Sequence, residues 1–365
     1  MNTKLRRWPL PIRGHSTPTT VRGSTRTVLL ATISAWLAAA CLSPAGALAA
    51  WPFDAGLNPS VAASNFGPLV EVHQAGAGIG PLWYSLGTPR YPAYGSFGDA
   101  IQWQWAQQYD FGANPAVADG GVPNAGLIPD PAVVEVHQGQ AGPGTMWWRV
   151  GTPAGNSINW GPSHPYDYGS NPSIATGGYD NEYVVEVHDG GWGVGPLWYK
   201  VGIIGHNQTI YWGHSWQYDS YGIDPMIAIY GDTVVEVNGT STGAGALNYR
   251  VGTLSPEFLT VSWGPAQTYS SGANPAIASL GSSEFREVHQ AGVGSGPLVT
   301  QTGTIAPTPN VIDWSPIYFY DNGARPRITG LGDPCSSYVE VHNGQDASGP
   351  LWYHASMYGC LPPPQ

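Results

Sequence analysis

Charged residues are scarce in this sequence, and basic residues are the scarcest. Only 10% of the 365 residues are charged, against roughly a quarter in an average soluble domain. Six of the 13 Lys and Arg residues lie within the first 26 residues, which leaves seven against 24 Asp and Glu in the rest of the chain. An acidic body of this kind repels phosphate backbones and anionic lipid head groups. The charge pattern therefore excludes nucleic acid as an expected partner.

Sequence signatures of common catalytic sites are absent as well. The chain has no Gly-x-Ser-x-Gly elbow, no phosphate-binding loop, no dinucleotide-binding fingerprint and no His-Glu-x-x-His. Glu182, Glu257 and Glu284 lie outside the repeated motifs described below and are candidates for a carboxylate pair of the glycosidase kind, but their spacing does not indicate one. A non-catalytic protein without a cofactor is therefore favoured, and a secreted polysaccharide hydrolase is the alternative.

Residues that break helices are abundant. The 50 Gly and 34 Pro residues exclude a mostly helical protein. Aromatic residues reach 12%, with 16 Trp and 20 Tyr, so the chain has ample apolar surface to bury and is not expected to be disordered. The composition predicts a folded, loop-rich all-β protein.

Residues 1–50 have the layout of a secretory signal peptide. A basic start is followed by an apolar run over residues 28–42 and by small residues that end in Ala47-Leu48-Ala49, an A-x-A cleavage pattern. The run of about fifteen residues is too short for a membrane span. We expect export to the extracellular space or the periplasm. Arg6-Arg7 also fits a twin-arginine signal, and Cys41 fits a lipoprotein cleavage site, so these routes stay open as alternatives.

The rest of the chain consists of six copies of one unit. The signature is Val-Glu-Val-His or a close variant, at spacings of 64, 51, 50, 51 and 53 residues. Its glutamates are Glu71, Glu135, Glu186, Glu236, Glu287 and Glu340. Each copy contains four short apolar runs separated by Gly, Pro, Asn and Asp, which is typical of strands and turns.

Four strands in about fifty residues indicate one blade of a β-propeller. The sequence therefore predicts a single six-bladed β-propeller over residues 51–365. The cycle is cut inside a unit, because the first copy begins after its Trp strand and the sixth copy ends before one, so ring closure is expected between the N- and C-terminal units. A linear β-solenoid or two three-unit domains are the alternatives, but neither a linker midway nor polar caps at the ends are evident.

A turn of fixed geometry is expected between consecutive copies. In five copies, a tryptophan precedes by six residues a tyrosine that opens a Tyr-Asp-x-Gly turn or a variant of it. These tryptophans are Trp103, Trp160, Trp212, Trp263 and Trp314. We expect the glycines of these turns to adopt positive φ angles. They are Gly112, Gly169, Gly272 and Gly323.

Strand alternation places the Glu and His of each motif on one face of its strand. Two interpretations of these pairs stay open. In the structural one, an enclosed Glu and His share a proton or hold a turn, since a buried carboxylate must be paired. In the functional one, each pair and the aromatic residues of the next strand form the floor of a ligand site. The candidate residues are Glu71, His73, Trp83, Tyr84, Glu135, His137, Trp147, Trp148, Glu186, His188, Trp198, Tyr199, Glu340, His342, Trp352 and Tyr353.

Aromatic faces beside fixed polar acceptors suit sugars, although packing between blades explains the same aromatics. Copies four and five lack the pattern, because Asn238 and Asn248 replace His and Trp and Val299-Thr300 replaces the aromatic pair. About four individually weak sites would bind a polymer or a glycosylated surface through avidity. A ring of metal ions is a further alternative, but one Glu-x-His pair supplies only two ligands, so no metal site is assigned.

Together these motifs resemble a family of secreted bacterial proteins with tandem repeats. The repeat consists of Val-Glu-Val-His, Leu-Trp-Tyr-x-Val-Gly, Trp-Gly and Tyr-Asp-x-Gly-x-Asn-Pro, and the resemblance covers about residues 51–360. The chain also resembles six-bladed propeller lectins in repeat count and aromatic content. The resemblance implies recognition of carbohydrate or a glycosylated surface, with a separate catalytic or surface protein as a further partner. A purely structural or interaction propeller is the remaining alternative.

Two cysteines stay in the mature chain after signal-peptide cleavage, Cys335 and Cys360. We predict that they form a disulfide, because disulfides persist outside the cytoplasm. Closing a loop of about 25 residues contributes roughly 3 to 4 kcal/mol to the free energy of unfolding. The secreted protein should show no free thiol under denaturing conditions, and reduction should lower its urea midpoint. Two titratable thiols in the denatured protein would contradict the prediction.

Overall fold

The computed structural model describes residues 50–63, 68–90, 100–122, 130–281, 283–332, 336–345 and 348–357. Within these ranges the structure contains strands, one short 3-10 turn at Pro256–Phe258 and no α-helix. The expected all-β class is confirmed. No helix in this part of the chain is long and apolar enough to cross a membrane. Residues 1–49, Cys335 and Cys360 lie outside the described residues, and with them the expected signal peptide and disulfide.

The strands differ in length, and six of them are long enough to take part in two sheets. In chain order they are β1 (Trp51–Ala62), β2 (Leu69–Gln74), β3 (Gly80–Pro89), β4 (Ile101–Trp103), β5 (Gln107–Val122), β6 (Asp130–Gln138), β7 (Gly144–Ala154), β8 (Ser157–Trp160), β9 (His164–Gly177), β10 (Tyr183–Asp189), β11 (Gly195–Gly205), β12 (Thr209–Tyr230), β13 (Thr233–Gly239), β14 (Gly245–Ser255), β15 (Thr260–Trp263), β16 (Gln267–Gly281), β17 (Glu284–Gln290), β18 (Gly296–Ile305), β19 (Ile312–Trp314), β20 (Tyr318–Gly330), β21 (Tyr338–Asn343) and β22 (Gly349–Ser356).

The antiparallel pairings fall into six sheets, which we number 1 to 6 from the long strands β1, β5, β9, β12, β16 and β20. In each sheet the second half of a long strand pairs with the strand that carries the Val-Glu-Val-His motif or its variant. That strand pairs with the next one along the chain, as β2 does with β3. The third strand then pairs with the start of the following long strand, as β3 does with β5.

Strand β1 joins the first sheet to the last. Its residues 51–56 pair with β22 in sheet 6, and its residues 57–62 pair with β2 in sheet 1. The six long strands also contact one another in chain order, and β20 contacts β1. The strands therefore form a closed antiparallel ring in which the long strands are neighbours around the centre.

Each long strand changes sheets through a residue with a left-handed backbone. These residues have φ angles of 47° to 53°, and each is followed by proline. They are Asn58, Asn114, Asn171, Asp224, Asn274 and Arg325. Asn and Asp tolerate this conformation better than other non-glycine residues. The expectation of positive φ at Gly112, Gly169, Gly272 and Gly323 is wrong, because the left-handed residue lies two positions further along the chain.

The glycines of these turns are required for a different reason. A Cβ atom on Gly112 would lie 2.5 Å from Cδ2 of His137 and 2.7 Å from the backbone oxygen of Gln138. A Cβ atom on Gly169, Gly272 or Gly323 would meet the equivalent histidine and backbone oxygen in the same way. The glycine therefore allows the buried histidine of one sheet to pack directly against the backbone that enters from the sheet before it.

Aromatic side chains pack between consecutive sheets. Tyr109 stacks on Trp160 with ring centroids 5.1 Å apart, and Tyr84 meets the same indole edge-on at 5.9 Å. Tyr218 and Tyr199 repeat this arrangement around Trp263. Four of the five tyrosines that follow a Trp by six residues thus stack on the Trp of the following copy, not on their own, and the fifth, Tyr320, contacts His354.

Replacing Gly112 by Ala should destabilise the fold by about 1 to 3 kcal/mol, because the new methyl group meets a backbone oxygen that cannot move aside. The control is Gly292→Ala, where a Cβ meets nothing within 4 Å. Urea unfolding of both variants measures the difference. Equal free energies of unfolding for the two variants would contradict the close-approach explanation.

Candidate functional site

The candidate Glu and His residues lie inside the sheets. Each of the four pairs predicted as ligand sites has side chains that are at most 2% exposed. The histidine Nδ1 atom lies 3.0 Å from the glutamate carboxylate in Glu71–His73, Glu186–His188 and Glu340–His342, and 3.1 Å away in Glu135–His137. Nδ1 donates this hydrogen bond, because a carboxylate can only accept. These contacts agree with the structural interpretation of the pairs.

A tyrosine from the preceding copy completes the environment of the buried carboxylate. The hydroxyls of Tyr109 and Tyr269 each donate a 2.9 Å hydrogen bond to Glu135 and Glu287. Burial and the neighbouring carboxylate both raise the pKa of these tyrosines well above its usual value, so they stay protonated donors. The carboxylate therefore accepts hydrogen bonds from the histidine of its own strand and from a tyrosine of the preceding copy.

The histidines gain protons when the protein folds. Burial alone would lower the pKa values of His73, His137 and His188, but the charge of the adjacent glutamate, its hydrogen bond to the ring and a nearby aspartate together outweigh burial and raise these pKa values. A histidine whose pKa is higher in the folded than in the unfolded chain stabilises the protein fully below pH 6.5, and this contribution is lost as the pH rises through the folded pKa. The pairs are thus part of the pH dependence of stability.

The candidate aromatic residues divide into two groups. Tyr84, Trp148, Tyr199 and Tyr353 are buried, and the hydroxyl of Tyr84 accepts a 3.1 Å bond from the backbone of Ile158 in the next sheet. Trp83, Trp147, Trp198 and Trp352 are partly exposed, and each lies opposite the histidine of the neighbouring strand. Only this second group is accessible to a ligand, because the Glu and His residues on the same face of each sheet are buried.

Sequence reasoning did not identify a polar cavity that the described residues form at the long strands. The six left-handed residues, Asn58, Asn114, Asn171, Asp224, Asn274 and Arg325, all line one cavity of about 500 Å³. We call them the polar ring. Because each comes from a different long strand, they converge only when the sheets close into a ring. The sequence contains a signal, since each precedes a proline, but the Asn-Pro motif by itself does not indicate that residues of different copies meet at one cavity.

Hydrogen bonds connect most of the polar ring in one direction. Arg325 Nη1 donates to Asn58 Oδ1 at 2.7 Å, and Asn58 donates to Asn114. Asn114 Nδ2 then donates to Asn171 Oδ1 at 2.8 Å, and Asn171 Nδ2 donates to Asp224 Oδ1 at 2.8 Å. The series begins at a guanidinium, which has no acceptor, and ends at a carboxylate, which has no donor.

The ring carries charges of both signs on one side. Burial raises the pKa of Asp224, and the nearby Arg327 and Arg325 oppose the rise. Burial and repulsion by Asp224 raise the pKa of Asp189 well above its usual value, against a hydrogen bond from Asn171. Burial lowers the pKa of Arg327 to about 10, so it is still a cation at neutral pH. Two cations therefore lie beside carboxylates that hold protons more tightly than usual.

A second cavity, of about 750 Å³, is lined by the other ends of the long strands. The β-branched residues of the long strands separate it from the polar ring, around a space of only about 50 Å³. They are Val61, Val117, Ile174, Ile227, Ile277 and Ile328, and each is at most 8% exposed. The polar cavity thus has an apolar floor. In the described part of the chain, no group of three or more His, Cys, Asp or Glu side chains is arranged to hold a metal ion.

Comparisons with known proteins bear on the fold. No family model matches the chain, and no curated protein matches it. Among solved structures, the K499G mutant of NanB sialidase from Streptococcus pneumoniae is similar over 84% of this chain and 68% of that one, with a TM-score of 0.54 and 8% identity. A protein of unknown function from Dyadobacter fermentans is similar over 82% of this chain and 95% of that one, with a TM-score of 0.50 and 11% identity. At such identities the likeness concerns the fold alone.

Glu236 differs from the other buried glutamates, because Asn238 replaces the histidine. Burial raises the pKa of Glu236 to about 8. A carboxyl group with a folded pKa above its unfolded value costs stability as the pH rises from about 4.5 to about 8. Glu236→Gln removes the ionisation, so the variant should gain stability relative to the wild type across this range, as measured by urea unfolding at pH 5, 7 and 9.

The matched control is Glu135→Gln, at the equivalent position in sheet 2. Its carboxylate is paired with His137 and bonded by Tyr109, so the substitution should cost about 3 kcal/mol at pH 5. A Glu236→Gln variant whose stability falls with pH as steeply as that of the wild type would show that Glu236 does not carry this proton.

Proposed function

We propose that the six sheets are the blades of a six-bladed β-propeller. The six groups of strand pairings, the closure of β1 on β22 and the contacts among the long strands support this proposal. The likeness to NanB sialidase supports the same general fold. In this arrangement the polar ring surrounds the propeller axis at the face where the long strands change sheets.

We propose further that the protein is a non-catalytic recognition module that binds carbohydrate at the polar ring. The observation that carries this proposal is the cavity of about 500 Å³, which is bordered by the four amides, one carboxylate and one guanidinium of the polar ring and by the guanidinium of Arg327. This volume lies in the usual range for small-molecule sites. Sugar hydroxyls both donate and accept, so they suit a border that mixes amide, carboxylate and guanidinium groups.

Exposed aromatic residues on the long strands and in one loop support a sugar ligand. Phe111, Tyr168 and Tyr221 each lie three residues before a polar-ring residue and are 57% to 62% exposed. Trp192, in the loop between β10 and β11, is 80% exposed. Aromatic faces of this kind can stack on the apolar faces of sugar rings. The partly exposed Trp83, Trp147, Trp198 and Trp352 stay predicted as additional weak sites that act through avidity.

A carbohydrate hydrolase is the second candidate function. One observation favours it, namely that Asn171 Nδ2 bonds both Asp189 and Asp224 at 2.8 Å, so two carboxyl groups of raised pKa lie close together at the ring. One carboxyl group that holds its proton beside another is the arrangement of a glycosidase acid and base. Release of reducing sugar from a polysaccharide, abolished by Asp224→Asn, would favour this candidate. Secretion through the predicted signal peptide agrees with either function.

Asn274→Gly tests the proposed site without disturbing the backbone, because glycine adopts the left-handed conformation of Asn274 readily. Loss of the amide should weaken binding to an immobilised glycan about tenfold, the cost of one good hydrogen bond. The control is Asn207→Gly, which removes an exposed left-handed Asn in the turn between β11 and β12 that does not line the cavity. Glycan-array binding measures both variants. Unchanged binding by Asn274→Gly, with loss of binding by Trp147→Ala, would place the sugar at the sheet surface and contradict the proposal.

A further inference from the structure

In five of the six sheets, the side chain of the residue after the Glu-x-His motif accepts a hydrogen bond from the backbone of a polar-ring residue. Gln74 Oε1 accepts a 2.7 Å bond from the backbone N–H of Asn114, and Gln138 Oε1 accepts a 2.9 Å bond from that of Asn171. Gln290 and Asn343 bond Arg325 and Asn58 in the same way, at 2.8 and 3.2 Å. Asp189 likewise accepts a backbone hydrogen bond from Asp224. Each side chain links one sheet to the polar-ring residue of the next.

Sheet 4 has a glycine at this position. Gly239 pairs with Ile223 and Leu247, as Gln74 pairs with Leu57 and Leu82, so the two positions are equivalent. Gly239 lines the cavity and has no side chain to reach the backbone N–H of Asn274. Its φ is not positive, and a Cβ would lie 3.3 Å from Cγ2 of Ile223, a tight contact that a shift of a few tenths of an ångström in the Ile223 side chain relieves.

The ring residue and the loop next to Gly239 also differ from those of the sheets that have a glutamine at this position. In sheets 1, 2 and 5 the polar-ring residue is an asparagine that donates to the glutamine of its own sheet, as Asn58 does to Gln74 at 3.1 Å. In sheet 4 the ring residue is Asp224, which can only accept when ionised. Ser241 Oγ donates to the oxygen of Gly243 at 2.9 Å, which replaces the contact that a glutamine Nε2 makes with its loop.

The gap therefore lacks one acceptor and one donor. The missing acceptor would face the backbone N–H of Asn274, and the missing donor would face the carboxylate of Asp224. The series of ring hydrogen bonds ends at Asp224, beside this gap: among the described residues no bond joins Asp224 to Asn274, and none joins Asn274 to Arg325. A secondary amide supplies both groups, a carbonyl oxygen that accepts and an N–H that donates.

We propose that this gap is the subsite for an acetamido group, so that the carbohydrate is an N-acetylated amino sugar. The inference rests on the proposed function and deepens it. The ligand carbonyl takes the place of the glutamine oxygen of the other sheets and accepts from Asn274 N–H. The ligand N–H donates to Asp224, and the sugar ring lies in the cavity of about 500 Å³ toward Thr242 and Val293, which also line it.

The test compares two probes that differ only in this group, methyl 2-acetamido-2-deoxy-β-glucopyranoside and methyl β-glucopyranoside. Calorimetric titration of the mature chain should give at least tenfold tighter binding of the acetamido sugar. Gly239→Gln should fill the gap, remove this preference and leave the melting temperature unchanged or higher. Gly239→Asn, which is shorter, should act in the same direction and serves if the glutamine variant does not fold. The control is Ala154→Gln, an exposed position on another sheet, which should keep the preference.

The outcomes separate this inference from the proposed function. Equal binding of the two probes, or a preference that survives in Gly239→Gln, would overturn the acetamido subsite and leave carbohydrate recognition standing. Failure of the wild type to bind either probe or any member of a glycan array would overturn the proposed function, and the subsite with it.

Discussion

A carboxylate buried within a β-sheet has to be satisfied by partners, and this constraint organises the whole chain. The glutamate of each sheet is fully buried, and in five sheets a histidine two residues along bonds it. In sheets such as 2 and 5 a tyrosine of the preceding copy bonds it as well. The histidine ring in turn requires a glycine, such as Gly112, in the strand that arrives from the previous sheet. One buried acid thus explains the Glu, His, Tyr and Gly of the repeat.

The same constraint separates scaffold from site. Polar side chains between the sheets form hydrogen bonds with one another, and the aromatic residues around Trp160 and Trp263 fill the remaining space. At the centre of the ring the left-handed residues instead border an open cavity. Most of their hydrogen-bond donors and acceptors are bonded to neighbouring side chains. The donors and acceptors that stay open to a ligand lie around Asp224, Asn274 and Arg325. Function is therefore expected where the repeat is imperfect.

The all-β class, the repeat and the pairing of Glu with His followed from the sequence, because strand alternation and the cost of a buried charge are local matters. The polar ring did not follow, because residues 50 or more positions apart meet only through closure. Turn composition suggested positive φ at Gly112, but the need for that glycine comes from His137 in another strand. Gly239 was visible in the sequence, yet its meaning depends on the register that aligns it with Gln74.

A crystal structure of the mature chain with a bound amino sugar tests the central claim most directly, namely that the polar ring is the site where the protein binds its ligand. The account predicts sugar density inside the polar ring, with an acetamido oxygen within hydrogen-bond distance of the backbone nitrogen of Asn274. Density against Trp147 or Trp198 at the sheet surface, with the ring cavity holding only water, would contradict it.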